Sequence, residues 1–232
     1  MVQKNLNLRT LLPVPSLKNM ALSTIKEAIL SKKLEPEIMY TEAALSNGLG
    51  ISRTPVREAL IHLASRGLII YFPRKGFQIK SLSQKEVENL FELRLALELT
   101  IIRHITPNLT EASLGKIEKI WARYSRVVQA RNPLESIRAN REFHLSLAYL
   151  TENVYLISAL EEIRDLTDLV SVRSLEVNSR AIEAAGEHEK ILAELKRRSM
   201  RGALQQMKAH IQTTEERVLM RIRNWGHGDW KK

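Results

Sequence analysis

Residues 43–79 read AALSNGLGISRTPVREALIHLASRGLIIYFPRKGFQI, and the punctuation of that stretch decides the fold. Thr41 is placed to cap a short helix from Glu42 to Asn47, and Gly48 to Gly50 break it. Ser52 or Thr54 can cap a second helix, whose first turn suits Pro55. Val56, Ala59, Leu60 and Leu63 recur at helical spacing and face inward, and Gly67 closes the helix. Leu68 to Phe72 and Gly76 to Lys80 are short β-branched and aromatic runs. They flank Pro73-Arg74-Lys75-Gly76, which reads as a hairpin with a basic tip. Upstream, Leu17, Met20, Ala21, Ile25, Ala28 and Ile29 mark a helix from Leu17 to Ser31, and Lys32 to Ile38 form a loop. This succession is the outline of a winged helix-turn-helix, a module that lays one helix in the major groove of DNA.

After Ser81 the texture changes. Ser83 followed by Glu86 is a capping box, and from there to about Arg223 only helical periodicity is found. Breaks fall near Thr106-Pro107-Asn108, Asn132-Pro133, Thr151-Glu152-Asn153, around Asn178, and at Ser199 to Gly202. About six helices result, and short loops between them imply an antiparallel bundle. The expected architecture is mainly α. Residues 1–16 are a flexible arm, 17–80 the winged helix-turn-helix, 81–223 an all-helical domain and 224–232 a tail.

Composition narrows the function. Of 232 residues, 44% are apolar, enough to bury a sizeable core, and 36 Lys and Arg outnumber 26 acids. Residues 1–80 hold 12 basic and 5 acidic residues, a net charge of +7, against +3 for the remainder. That asymmetry suits a polyanion-binding module joined to a different one, although charge alone equally describes a soluble basic surface. Without cysteine there is no disulfide framework and no thiolate chemistry. The N-terminal stretch has no apolar run long enough for a signal peptide, and no segment approaches a membrane span. A cytoplasmic protein is expected.

A helix entering the major groove needs small or polar residues at its leading end and long donors on one face. Ser52, Arg53, Thr54 and Arg57 supply these, with Arg53 and Arg57 four apart on one side. Arg74 and Lys75 at the hairpin tip can straddle the backbone or enter the minor groove. Arg66 reads as a charge favourable to the C-terminal end of the helix dipole. ISRTPVREALIHLASRGLI followed by PRKGFQI resembles the DNA-binding domain of GntR-type transcriptional regulators, over about Leu22 to Ile79. The resemblance implies that Ser52, Arg53, Thr54 and Arg57 face double-stranded operator DNA and that Lys75 and Gly76 form the wing tip. It makes Pro55 and Glu58 architectural. One departure is visible: many members carry an Arg in the first helix of the motif, where this chain has Glu42-Ala43-Ala44.

The helical part holds His104, His144, His188 and His210. Asn140 precedes His144 by four residues, so the two share a helical face, and His188 and His210 fall on later helices. Facing helices of a bundle commonly build metal sites, and three imidazoles with one oxygen suit zinc, nickel or another divalent transition ion. NREFHLSLAYLTENVYL, EHEKILAEL and a His 22 residues further on resemble the FCD effector domain of the FadR-like subgroup of the same family. Members of that domain commonly bind a metal through an Asp and three His. The resemblance puts Asn140, His144, His188 and His210 on those positions, with Asn140 in place of the Asp. An amide brings no negative charge, so weaker affinity or a different metal preference is expected. His62, His104 and His227 fit no pattern and are read as structural or solvent-facing. Arg94 is expected either to bind an organic-acid effector or to pair with Glu98, four residues on.

Together these features imply a ligand-responsive transcriptional regulator, a repressor, acting as a homodimer on a near-palindromic operator. A small carboxylate or sugar acid would be its effector, and the link at residues 79–83 its movable element. Two alternatives stand beside this reading. One is a metal-dependent hydrolase using the helical-domain histidines, although no nucleophile–base pairing is suggested by spacing. The other is a ligand-free architectural DNA-binding protein, which would need a fully packed helical interior.

Overall fold

The computed structural model describes residues 15–174 and 177–224. Residues 1–14 of the expected arm, and the tail from 225 onward with His227, lie outside the described residues.

The chain begins with α1 (Leu17–Leu30), α2 (Glu42–Leu49) and α3 (Arg53–Ser65), followed by β1 (Ile69–Phe72) and β2 (Gly76–Ile79). Ser16 caps α1 by accepting from the Asn19 amide at 3.2 Å, and Thr41 caps α2 by accepting from Ala44 at 3.1 Å. Ala21, Ile25 and Ile29 of α1 are buried on one stripe, as are Val56, Ala59, Leu60 and Leu63 of α3. These two stripes pack against each other and form the core of the N-terminal unit. Helix α2 runs on through Gly48, and only Gly50, at φ 65°, ends it.

The hairpin is antiparallel, with Ile69 opposite Ile79 and Phe72 opposite Gly76. Arg74 takes a left-handed conformation (φ 64°) and the Lys75 amide donates back to the Phe72 carbonyl at 3.0 Å. Gly76 corrects an expectation. It is buried, at φ 134°, and a Cβ there would stand 2.0 Å from the Tyr40 carbonyl oxygen. Tyr40 and Phe77 exchange both backbone hydrogen bonds, each at 2.9 Å, which pins the wing to the strand-like segment before α2. Glycine is required at position 76 by this close backbone approach, so the exposed surface of the wing tip belongs to Arg74 and Lys75.

The second part consists of α4 (Gln84–Ile105), α5 (Glu111–Gln129), α6 (Pro133–Tyr149), α7 (Val154–Ser174), α8 (Val177–Lys196) and α9 (Met200–Asn224). Ser83 and Glu86 form the capping box at the start of α4. Asn132 caps α6 by accepting from Glu135, and Asn153 accepts from Tyr155 and Leu156 at the start of α7. The break expected around Asn178 falls between α7, which ends at Ser174, and α8, which begins at Val177. α4 packs on α9, α7 and α6, while α5 and α8 close the other side. Helix α7 is the central element: Leu160, Arg164, Asp165, Thr167, Asp168, Leu169, Val170 and Val172 are all buried, so almost its whole circumference meets protein.

The two units meet along α7, in addition to the covalent link. Asp165 pairs with Lys26 of α1 and accepts from Arg66, the C-cap of α3, at 3.4 Å. Arg66 also lies 3.9 Å from Glu162. Gly67 lies beside Leu166, where a Cβ would make ordinary van der Waals contact at 3.6 Å. Arg66 therefore does more than complement a helix dipole: it joins the end of α3 to the bundle.

Candidate functional site

Two sites emerge. On the N-terminal unit, Ser52, Arg53, Thr54 and Arg57 are exposed along the start of α3, and Arg74 and Lys75 are exposed at the hairpin turn. Ser52 is the N-cap of α3 but its hydroxyl makes no cap bond, which leaves it free for an external acceptor. Arg57 is held in place. Its Nε donates to Glu42 Oε1 at 3.1 Å and its Nη2 to Oε2 at 2.7 Å. The Tyr71 hydroxyl donates to the same carboxylate. The bond from Arg57 holds the Glu42 carboxyl below its usual range despite opposing desolvation. The acid supporting Arg57 is therefore Glu42, while Glu58 is exposed on α3. The stretch where an Arg was missing instead contributes the carboxylate that orients one.

In the bundle, α6, α8 and α9 bring His144, His188 and His210 together. One nitrogen from each lies within 4.8 Å of the others, and all three residues are buried. His104 and His62 are exposed and take no part. His210 Nε2 lies 3.2 Å from His144 Nε2 and 3.4 Å from His188 Nε2. The opposite nitrogens are braced: His144 Nδ1 by Glu98, and His210 Nδ1 by Glu187 Oε2 at 2.5 Å. An Nδ1–H given to each carboxylate leaves an Nε2 lone pair on each ring, and the two lone pairs face one another. Burial drives the pKa of all three imidazoles down, that of His210 to about 4 although Glu187 pulls the other way. Neutral rings with converging lone pairs are set to receive a cation between them, and the Arg94 guanidinium already approaches the Nε2 lone pair of His144.

The donor set fits a divalent transition ion. Two nitrogens each about 2.0–2.1 Å from one tetrahedral ion stand about 3.3–3.4 Å apart, which matches the spacing of these rings. Glu98 and Glu187 are the carboxylate partners that ligating histidines ordinarily have. Asn140 Oδ1 is buried, faces the same space and has no hydrogen-bond partner among the described residues.

Beside the histidine cluster, and sharing His210 with it, a cavity opens. Its walls include Arg94, Asn140, Arg164, Asp168, Arg180 and His210. Arg94 takes the Glu98 pairing: its Nε donates to Glu98 at 3.0 Å, and its Nη2 lies 3.3 Å from His144 Nε2. Arg180 donates to both oxygens of Glu187, at 2.9 and 2.6 Å. Burial works to raise the Glu187 carboxyl, but the bonds from His210 and Arg180 hold it at about 2.

Arg164, Arg180, Glu98 and Glu187 as site residues went unread in the sequence. Arg180 and Glu187 are seven apart, hence on one helical face, and that spacing was a usable signal. EEIRDLTD of α7 resembles a solvated face, and nothing local marks Arg164 as fully buried.

Comparison with known proteins agrees with the geometry. Residues 17–79 match the family described as bacterial regulatory proteins, gntR family, and residues 89–213 match the FCD domain. The chain belongs to the GntR family of transcriptional regulators, in the group that carries an FCD domain. It is 29% identical over 187 residues to the HTH-type transcriptional regulator YdhC of Bacillus subtilis, covering 80% of this chain and 84% of that one. It is 24% identical to the HTH-type transcriptional repressor RspR of Escherichia coli, covering 84% and 85% of the two chains. Its fold resembles that of E. coli McbR/YncC with a TM-score of 0.77 at 20% identity, over 89% of this chain and 99% of that one. Such proteins bind DNA and are not enzymes, so the hydrolase reading falls away; Glu142, the acid nearest the ligand run in sequence, is occupied on the outer face by Arg123. Among the described residues no helix is long and apolar enough to cross a membrane.

Proposed function

We propose that this regulator is a homodimeric repressor whose grip on its operator is set by a small organic acid, a carboxylate or sugar acid, bound in the bundle together with a divalent transition ion. The observation that carries the reading is the convergence of three buried imidazoles, two of them braced by carboxylates, and the unpartnered Asn140 oxygen beside a cavity walled by arginines. His144, His188, His210 and Asn140 would hold the ion, zinc or nickel being suited to this donor set. The ion would supply a positive centre for an acid group. Arg94 orients His144 and its carboxylate brace, and the arginines of the wall attract an anion and exclude neutral ligands of similar shape. RspR, a relative over most of its length, is named a repressor, and that is the support for the sign of regulation.

Signal transfer needs an element that both sites bias. Helix α7 fits: Arg164 and Asp168 line the cavity, and Asp165, between them in sequence, holds Lys26 and Arg66 of the DNA-reading unit. This adds a second connection to the link at residues 79–83. On DNA, Arg53 and Arg57 would meet base edges or phosphates, and Arg74 and Lys75 the flanking backbone.

The test is gel-shift and anisotropy titration of full-length protein against its own upstream region, with metal content measured in parallel. Near-stoichiometric zinc or nickel, and operator affinity changed at least tenfold by an organic acid only in metal-loaded protein, would support the proposal. Equal affinity for the upstream region and random duplex at physiological salt would sink it.

A further inference from the structure

Resting on the metal-and-acid reading above, we propose that the ligand is a small diacid, one acid group directed to the histidine cluster and the other held by Arg164.

The argument is one of charge and of spent donors. Three arginines line the cavity, and two are already neutralised. Arg94 has Glu98 at 3.0 Å, and Arg180 has both oxygens of Glu187, which leaves only its Nε without a partner among the described residues. Arg164 is different. It is 1% exposed, and the carboxylate near it, Asp168, gives Oδ2 to Arg141 at 2.8 Å. Asp168 Oδ1 lies 3.3 Å from Arg164 Nη2, but off the axis of a hydrogen bond. The Nε of Arg164 has no partner at all among the described residues. One carboxylate thus serves two guanidinium groups, and the one facing the cavity has the poorer share. A buried guanidinium with an unmade donor is a site awaiting an acceptor, because planar N–H forks pair best with carboxylate or phosphate.

The hydroxyls around the cavity do not offer the same service. Ser136 donates to the Asn132 carbonyl at 2.8 Å, Thr167 to Arg164 at 3.2 Å, Thr214 to His210 at 3.0 Å and Tyr124 to Ala181 at 3.1 Å. Their hydrogens are spent on backbone; Ser171 also lines the cavity and can add a neutral donor, but the charged donors there are the arginines.

The second acid follows from Asn140. Three neutral imidazoles and an amide leave both positive charges of a divalent ion uncompensated, and Arg164 adds a third. A monoacid brings one negative charge to two separate centres. A diacid brings one to each, and its two ends fix its orientation across the cavity between α7 and the histidine-bearing helices.

The experiment uses full-length, zinc-loaded protein and isothermal titration with malonate, succinate, glutarate and adipate. Succinamate serves as the matched monoacid, equal to succinate in length but with one end amidated. At least one diacid is expected to bind, and succinate, if it fits, at least tenfold more tightly than succinamate. Arg164→Met should abolish the difference between diacid and monoacid while zinc stoichiometry stays at the wild-type value. Arg164→Lys, which keeps the charge and guards against a folding defect in the Met variant, should retain part of it. Binding of succinamate equal to that of the best diacid would overturn the proposal, as would a diacid preference that survives Arg164→Met, or silence across the whole series with zinc in place. Absence of bound zinc in the wild type is a separate result, which would strike the underlying metal reading instead.

Discussion

Asp165→Ala tests how the two units are joined. The carboxylate is 8% exposed and faces Lys26, Arg66 and Arg141, whose side chains are 27%, 22% and 20% exposed. Breaking a buried ion pair by removing one partner typically costs about 3–5 kcal/mol, since the other charge is left uncompensated. Here the three cations keep roughly a fifth to a quarter of their exposure and can recover some hydration, so about 2–3 kcal/mol is expected. For a unit of this size that is a fall in Tm of about 5–10 °C. Calorimetry and urea titration at low salt measure it, and Asp165→Asn separates charge from shape. The pH dependence has a definite sign. Burial works to raise the Asp165 carboxyl, but Arg141 and Lys26 outweigh it, so the folded pKa lies below the unfolded 3.8. Its contribution is therefore fully present above pH 3.8 and is lost as pH falls through the lower folded value. The gap between wild type and Asp165→Asn should be flat from pH 7 to about 5 and close below pH 4. A change in Tm under 2 °C, or a gap that persists undiminished in acid, would refute the electrostatic account of the junction.

Three further outcomes are expected. Gly76→Ala should destabilise the protein by roughly 2–4 kcal/mol, because the new Cβ meets the Tyr40 carbonyl at a φ unfavourable to L residues; a wild-type melting curve would show that the wing is not pinned there. Glu98→Gln should weaken zinc binding about ten- to hundredfold by removing the brace on His144, and competition with a chromophoric chelator reads this directly. Glu42→Gln should lower operator affinity and cut discrimination against mutated half-sites, since Arg57 loses its charged anchor; unchanged discrimination would remove Glu42 from the reading of DNA.

The N-terminal unit was legible because its signals are local. Thr41 and Ser52 as caps, Pro55 in the first turn and Gly67 at the close each act within one turn of backbone, and the stripe Val56, Ala59, Leu60, Leu63 states its buried face at a period of 3.6 residues. The same holds for the capping box at Ser83 and for the breaks before Pro133 and Val154.

The bundle site divides differently. Asn140, His144, His188 and His210 could be picked out of the sequence by spacing and resemblance. Their meeting point, the carboxylates behind them and the arginines beside them could not. Glu187 is the neighbour of His188 in the chain but braces His210, because adjacent residues on a helix point about 100° apart. Arg164 looks like part of a solvated run until α4, α6 and α9 close around α7.

The amino-acid order thus determined by itself where the chain would coil, turn and stop, which helix presents cations outward, and which side chains can ligate a metal, for these depend on neighbours within a few residues. Tertiary structure alone decided which charge meets which. The buried pairing of Asp165 with Lys26 and Arg66, and the claim of Arg141 on Asp168 that leaves Arg164 the poorer share, join residues tens of positions apart, and only packing sets those distances.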